Sequence, residues 1–167
     1  MKKVIIIGCP GSGKSTFARK LKAITKLPLY HLDMLFWNKD KTMVPREVFD
    51  KILQDTMNNP VWIIDGNYLR TMELRLKECD TVFFLDYSTD VCIEGIENRK
   101  GQPRSDMPWV ETDTDEEFVE FVKKFSFDTR PQILTLLEQY KHKNIVTFKT
   151  REEAEGYLHG FAKEMEL

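Results

Sequence analysis

The chain of 167 residues is short of several things at once. It has only three cysteines, Cys9, Cys79 and Cys92, an odd number with no Cys-x-x-Cys spacing. That excludes a disulfide framework and a cysteine-based zinc site, and it fits a reducing, cytoplasmic setting. No run approaches the roughly 18–20 apolar residues that a membrane span requires, and mean hydropathy is −0.42, so no membrane partner is expected. Met1-Lys2-Lys3 ahead of Val4 to Ile7 imitates a secretion signal, but its apolar run is too short for the about 7–15 residues of such a segment. It reads as a buried first strand. Charge of one sign is also missing: 25 Lys+Arg stand against 27 Asp+Glu, a net charge of −2. Nonspecific duplex binding needs a basic footprint, so a nucleic-acid partner is not expected. Internal repeats and low-complexity linkers are absent as well.

What the chain does have is enough apolar material for one core. Hydrophobic residues make up 41%, with 11 Phe and 7 Met, and a compact chain of this length buries about 70% of its unfolded surface. One domain over 1–167 is expected. Charge is unevenly placed: residues 1–32 hold seven basic side chains and no acid, while 111–120 hold six acids and no base. Solvated faces explain such runs, and a phosphate-binding end explains the first.

Apolar runs rich in β-branched and aromatic residues recur at Val4–Ile7, Leu29–Leu32, Val61–Ile64, Val82–Leu85 and Ile145–Phe148. Between them lie stretches of helical period, with Phe17, Leu21 and Ile24, then Val48, Phe49, Ile52 and Leu53, then Leu69, Met72 and Leu76 as stripes. Ile133, Leu136, Leu137 and Tyr140 form another behind Pro131, and Thr114-x-x-Glu117 and Thr150-x-x-Glu153 are capping boxes that place helix starts near 115 and 151. Strands without polar alternation, each followed by a helix, predict a doubly wound α/β core with a parallel five-stranded sheet covered on both faces. Lys100 to Asp113, with Gly101, Pro103 and Pro108 and no apolar stripe, breaks the pattern and predicts a lid.

The first strand runs straight into Gly8-Cys9-Pro10-Gly11-Ser12-Gly13-Lys14-Ser15-Thr16, which fits G-x-x-x-x-G-K-[ST] and opens a helix. Chance supplies these fixed positions roughly once in two hundred such chains, before the flanks are counted. Glycines let successive N–H groups converge on a phosphate at a helix N-terminus. Here Lys14 adds charge for the β and γ phosphates, Ser15 a hydroxyl for Mg²⁺, and Thr16 a contact on the α-phosphate side, while Gly8, Pro10, Gly11, Ser12 and Gly13 shape the cradle. ATP and Mg²⁺ are the expected cofactors. Cys9 is a small packing residue or an oxidisable thiol beside the nucleotide.

Magnesium also needs a carboxylate on a neighbouring strand, and Asp65 and Asp86 each end an apolar run. Asp65 is preferred because Gly66 allows a tight exit, whereas Asp86 suits a helix cap. Asp33 follows the second strand, where it either caps a short helix or accepts a proton from an attacking hydroxyl. His31 has no His or Cys partner at metal spacing and reads as a packed or surface histidine, not a ligand. Phe36 and Trp37 belong to the core or wall an acceptor pocket. Arg99, Arg104 and Arg130 are the arginines that a closing lid can bring to a transferring phosphoryl group.

Taken together, the phosphate loop, His31-Leu32-Asp33-x-Leu35-Phe36-Trp37, Trp62-Ile63-Ile64-Asp65-Gly66-Asn67-Tyr68 and Arg104-x-Asp106-Met107-Pro108 resemble the adenylate-kinase-related P-loop group known as DNA topology modulation proteins. The resemblance implies a three-layer P-loop NTPase fold with strand order 2-3-1-4-5, an acceptor region at about 33–58 and a lid at about 100–113. It also implies that Asp65 works beside Mg²⁺ and that Arg99 begins the lid. Adenylate kinases carry an arginine soon after the aspartate of the second strand and another after the Asp-Gly-x-Pro turn, to hold the acceptor phosphate. Here Met34 to Trp37 supplies none, and Arg70 follows Asp65-Gly66-Asn67-Tyr68 only after a shift.

The leading expectation is an enzyme, a kinase passing the γ-phosphoryl of ATP to a small acceptor of nucleoside or nucleotide type. A second is a nucleotide-dependent regulator or DNA-associated protein, which the slightly acid balance and the lack of a helix-turn-helix signal oppose. An ATPase or GTPase switch is a third. Asn38-Lys39-Asp40 has the wrong spacing for a guanine signature.

Overall fold

In a computed structural model of the chain, residues 1–113 and 115–166 are described. Strands β1 (Lys3–Gly8), β2 (Leu29–His31), β3 (Trp62–Asp65), β4 (Thr81–Leu85) and β5 (Asn144–Phe148) form one parallel sheet in the order β2-β3-β1-β4-β5. Parallel neighbours require crossovers. These come from α1 (Lys14–Thr25), α2 (Leu32–Phe36), α3 (Arg46–Met57), α4 (Leu69–Glu78), α5 (Thr89–Arg99), α6 (Glu116–Asp128) and α7 (Arg130–Gln139), with α8 (Arg151–Met165) closing the chain. Both the sheet and its order match expectation.

The central strands are buried because helices cover both faces, which is why they carry no polar alternation. Ile5 pairs in register with Ile64 on one side and Val82 on the other, and all three are fully buried. Phe17 of α1 sits 5.0 Å from Phe83 and 5.6 Å from Phe148 by ring centroid, locking the helix that follows the phosphate loop onto β4 and β5. Truncating such a buried ring costs about 3–5 kcal/mol, so Phe17 also fixes where the loop stands. The edge strands β2 and β5 are only partly covered.

Several boundaries differ from the sequence pattern. Leu32 opens α2 instead of ending β2, because the chain turns into a helix as soon as it passes the sheet edge. Val48 is 47% exposed and leaves its stripe, where Phe49, Leu53, Thr56 and Met57 face inward. Helix α6 is capped by Asp115, which accepts from the Phe118 N–H at 3.2 Å; Thr114 of the expected capping box lies outside the described residues. Thr150 caps α8, accepting from the Glu153 N–H, but the Glu153 carboxylate takes the Lys149 N–H at 2.7 Å instead of returning to Thr150. Residues 100–113 contain no helix or strand, and their base is closed by a 2.6 Å bond from the Gly101 N–H to the Glu111 carbonyl.

Candidate functional site

The strands point their carboxyl ends at a cleft of about 1000 Å³, and the phosphate loop forms its floor. Gly11 and Gly13 take φ of +85° and +94°, and a Cβ on Gly11 would stand 2.0 Å from the carbonyl oxygen of Cys92. Only glycine fits there. Gly13 caps α1 without any side-chain bond, which leaves the first-turn amides and the positive end of the helix dipole for an anion. Pro10, Gly11, Gly13, Lys14, Ser15 and Thr16 line the cleft. Ser12 is buried beneath, and Gly8 is tied in both directions to Asn67, through its N–H to Oδ1 at 3.0 Å and from Nδ2 to its carbonyl at 2.6 Å. The Lys14 ammonium lies 3.4 Å from the Cys9 carbonyl, and Thr16 Oγ1 accepts from Arg19 at 3.2 Å. Arg151, from the start of α8, lines the cleft as well and clamps the loop by donating to the Ser12 and Gly11 carbonyls at 2.9 and 3.1 Å.

Asp65 stands at the carboxyl end of β3, and its Oδ2 accepts from Ser15 Oγ at 2.9 Å. The other oxygen, Oδ1, is buried with no hydrogen-bond partner, an arrangement that costs free energy unless something cationic or a donor meets it. Magnesium keeps several waters and takes one or two carboxylates together with substrate phosphates. Among the described residues no group of three or more His, Cys, Asp or Glu forms a cage made by the protein alone. A hydroxyl and a half-satisfied carboxylate side by side nevertheless suit that ion, so Ser15 and Asp65 fit it. Asp86 does neither of the things the sequence offered. Ser88 caps α5, and the Asp86 carboxylate is taken up by Arg130 at 2.8 and 2.9 Å and by Lys149.

That pairing relocates one of the three arginines. Arg130, expected among the catalytic groups, is held on Asp86 and is not part of the cleft lining. Arg99 and Arg104 do line it. Arg104 grips Asp106 with two bonds, 3.0 and 2.7 Å, and reaches Glu111 at 3.1 Å, while Arg99 stands 3.4 Å from the same Glu111. Asp106 Oδ2 lies 2.8 Å from the same Ser15 Oγ, whose single proton serves either Asp106 or Asp65, so the lid touches the phosphate loop directly. Burial alone would raise the Asp106 carboxyl, but the Arg104 guanidinium outweighs it and holds the group well below the usual carboxylate range. Burial lowers Arg99, and the neighbouring Arg104 lowers it further.

Asp33 lies in the first turn of α2 and caps nothing through its side chain. Its Oδ1 accepts from the Tyr68 hydroxyl. Burial pushes the Asp33 carboxyl up, against the opposing pull of Tyr68 and of the Lys14 charge. Around it the cleft is lined by Trp37, Tyr68, Met107 and Trp109, and the two indoles meet edge to face with centroids 5.7 Å apart. Phe36 packs on Trp37, Phe49 and Tyr68, so it joins the aromatic wall to the core.

A parallel sheet in the order 2-3-1-4-5, with a glycine loop between β1 and α1, decides the architecture. The fold is that of the P-loop NTPases. No family model matches the chain. Among known proteins it is similar to a shikimate kinase from Flavobacterium johnsoniae, 24% identical over 143 residues, covering 77% of this chain and 82% of that one. In structure it is similar to the shikimate kinase from Acinetobacter baumannii in complex with shikimate, with a TM-score of 0.64, 14% identity, and coverage of 98% of this chain and 94% of that one. The shikimate kinase from Bacteroides thetaiotaomicron gives a TM-score of 0.56 at 16% identity, with 98% of each chain covered.

Three residues of this P-loop site escape a reading of the sequence. His31, expected as a packed or surface histidine, places Nδ1 2.7 Å from Asp65 Oδ2, because it is the register partner of Asp65 across β2 and β3. Arg75 is fully buried and donates to the carbonyls of Gly66, Asn67 and Tyr68, holding the turn that carries Tyr68 to Asp33. Burial pushes it down to about 10. Its signal was a cation between Met72 and Leu76 on the apolar stripe. Arg151 had no signal at all, since its contact spans the whole chain.

Proposed function

We propose that this protein is a P-loop kinase that transfers the γ-phosphoryl group of ATP to a hydroxyl of a small acceptor of the nucleoside or nucleotide class. One observation carries the reading: the phosphate loop with Lys14 and Ser15, the Asp65 carboxylate and the Asp33 carboxylate line a single cleft. A bare ATPase needs the first two but has no use for a second carboxylate walled by aromatic rings. Similarity to proteins named shikimate kinase supports a kinase with a small-molecule acceptor. Three buried free thiols support a reducing, cytoplasmic setting for a single-domain enzyme.

In this mechanism the α1 amides and Lys14 hold the β and γ phosphates, and Ser15 with Asp65 would hold Mg²⁺. When bound, that ion neutralises charge on the β- and γ-phosphate oxygens. Asp33 orients the acceptor hydroxyl and receives its proton as the new O–P bond forms, while the bond to the ADP oxygen breaks and its electron pair leaves with ADP. The lid segment that Arg99 opens and Arg104 braces closes over the phosphates and keeps water out. Arg130, engaged by Asp86, supports the fold around β4 and takes no part in transfer.

The test is release of ADP from Mg-ATP in the presence of AMP, other monophosphates, nucleosides and shikimate. Acceptor-dependent release is expected, and Lys14→Ala should lower it roughly a hundredfold or more without unfolding the chain. ADP release that never depends on an added acceptor would overturn the kinase reading in favour of an ATPase.

A further inference from the structure

We infer that the acceptor selected by this cleft carries a flat ring and no anionic group: a nucleoside, not a nucleoside phosphate or a hydroxycarboxylic acid. The inference rests on the phosphoryl-transfer reading and narrows its acceptor. Two observations lead to it, one about shape and one about charge.

Trp37 follows α2, bridged to Met43, and Trp109 comes from the lid. Neither is buried in the core; both are partly exposed and line the cleft beside Asp33 and Tyr68. Large aromatic side chains left at a cleft wall by two separate segments offer a stacking surface for a planar ring. Their edge-to-face contact also means that a ligand touching Trp109 holds the lid against the acceptor region. The Tyr68 hydroxyl donates a hydrogen bond to Asp33 Oδ1, which leaves the second Asp33 oxygen for an acceptor hydroxyl.

An anionic acceptor would need a cation in the same place, and the arginines there already face carboxylates. Arg104 is met by Asp106 and Glu111, while Arg99 faces the same Glu111 at 3.4 Å, with its buried Nε making no hydrogen bond among the described residues. The Arg104 and Asp106 side chains are only 14% and 7% exposed, so diverting the arginine to a ligand would strand a buried carboxylate. Lys14 and Arg151 bond the phosphate loop on the nucleotide side, and Arg19 bridges Thr16 in α1 to Ser105 of the lid. Lys41 meets no carboxylate among the described residues, but it is exposed, 5.7 Å from the centre of the Trp109 ring, where solvent screens it. Asp33 adds a negative charge at the acceptor position itself. The cleft therefore repels a phosphate or carboxylate where it welcomes an aromatic ring.

The experiment is a tryptophan-fluorescence titration of the full chain with Mg-ADP present, which reads binding without any need for turnover. Trp62 is fully buried, so ligand-dependent changes report on Trp37 and Trp109. The probes are four nucleosides, their 5′-monophosphates, and shikimate. At least one nucleoside should bind tenfold or more tighter than its own monophosphate and than shikimate. Trp109→Ala should weaken that nucleoside at least tenfold and Trp109→Phe should restore most of the loss, with Mg-ADP uptake by each variant showing that it is folded. Glu111→Gln, which releases Arg99 and leaves Arg104 on Asp106, should strengthen monophosphate binding several-fold. Equal or tighter binding of a monophosphate or of shikimate by the unmodified chain, or no binding by any nucleoside, overturns the inference whatever the transfer assay gives. A chain that transfers phosphoryl groups to monophosphates would thus refute the acceptor and leave the kinase standing.

Discussion

His31 and Asp65 are register partners on adjacent parallel strands, and the imidazole Nδ1 lies 2.7 Å from the carboxylate Oδ2. Both side chains are nearly buried, at 11% and 5% exposure. With Ser15 on the same oxygen, His31 fixes the carboxylate so that its unpartnered Oδ1 keeps one orientation. Groups that orient a metal-binding carboxylate are worth about 10–100-fold in metal affinity. His31→Ala should therefore raise the Mg²⁺ concentration needed for half-maximal ADP binding by about tenfold, while ADP binding in EDTA stays close to that of the parent. Calorimetric titration with and without Mg²⁺ separates the two. An equal loss in both conditions would mean that His31 supports the strand edge and not the carboxylate.

Arg75 is a cation with no carboxylate partner among the described residues; its hydrogen bonds go to the carbonyls of Gly66, Asn67 and Tyr68. Arg75→Met keeps the length and much of the bulk but strands three acceptors in the interior. Each buried group left without a partner costs about 1–3 kcal/mol, so a loss of roughly 3–5 kcal/mol is expected in urea unfolding. Because the freed turn carries Tyr68, any surviving folded protein should also show weakened acceptor-dependent turnover. A variant as stable as the parent would show that water replaces the guanidinium.

Asp33 is held in a state that suits chemistry better than stability. Burial raises its carboxyl, so the neutral form is favoured by folding. Stability from that form is present at low pH and is lost as pH rises through the raised value. At neutral pH the ionised group is carried at a cost. Asp33→Asn retains an oxygen that can accept from Tyr68 and removes the charge. It should unfold at higher urea than the parent at pH 7–8, by about 0.5–2 kcal/mol, with the advantage shrinking toward acid. Transfer should fall by about 10²-fold or more. Loss of activity without a gain in stability would move Asp33 from a strained base to an ordinary structural carboxylate.

What was legible in the sequence follows from range. Gly8 to Thr16 are contiguous, so the phosphate loop could be read whole, and the buried strands announced themselves through runs such as Val4 to Ile7 and Val82 to Leu85. Strand order came from resemblance to known proteins, because nothing local in β3 says that it pairs with both β1 and β2. The losses are all long-range. The role of His31 depends on register with a residue 34 positions away, and Arg130 finds Asp86 across 44. Asp106 sits in a segment without helix or strand, where periodicity is silent. Its one local trace is the Arg104-x-Asp106 spacing, which lets the guanidinium fold back on the carboxylate. Asp86 and Asp65 both end apolar runs, and Gly66 favours the second because the chain must turn tightly there, with a Cβ at Gly66 standing 2.9 Å from Leu32.

The lid's own ion pair makes a prediction about pH. Asp106 is 93% buried by its side chain's 7% exposure, and Arg104 holds its carboxyl below the usual range. A depressed carboxylate contributes stability that is present above its unfolded value, near 3.9, and is lost as pH falls through the folded value. Removing Arg104 leaves Asp106 with only the Ser15 hydroxyl, while Glu111 keeps Arg99. Arg104→Met should thus cost about 3 kcal/mol at pH 7, and the gap between variant and parent should narrow steadily as the pH is taken from about 5 toward 3. Other carboxylates titrate over the same range in both chains, so it is the gap, measured by urea unfolding at each pH, that isolates the pair. Asp106→Asn serves as the second arm: it should lose most of the pH dependence that separates the parent from Arg104→Met. A gap that stays constant from pH 7 to 3 would show that Arg104 stabilises the lid by packing alone, and that Asp106 is not the carboxylate it holds.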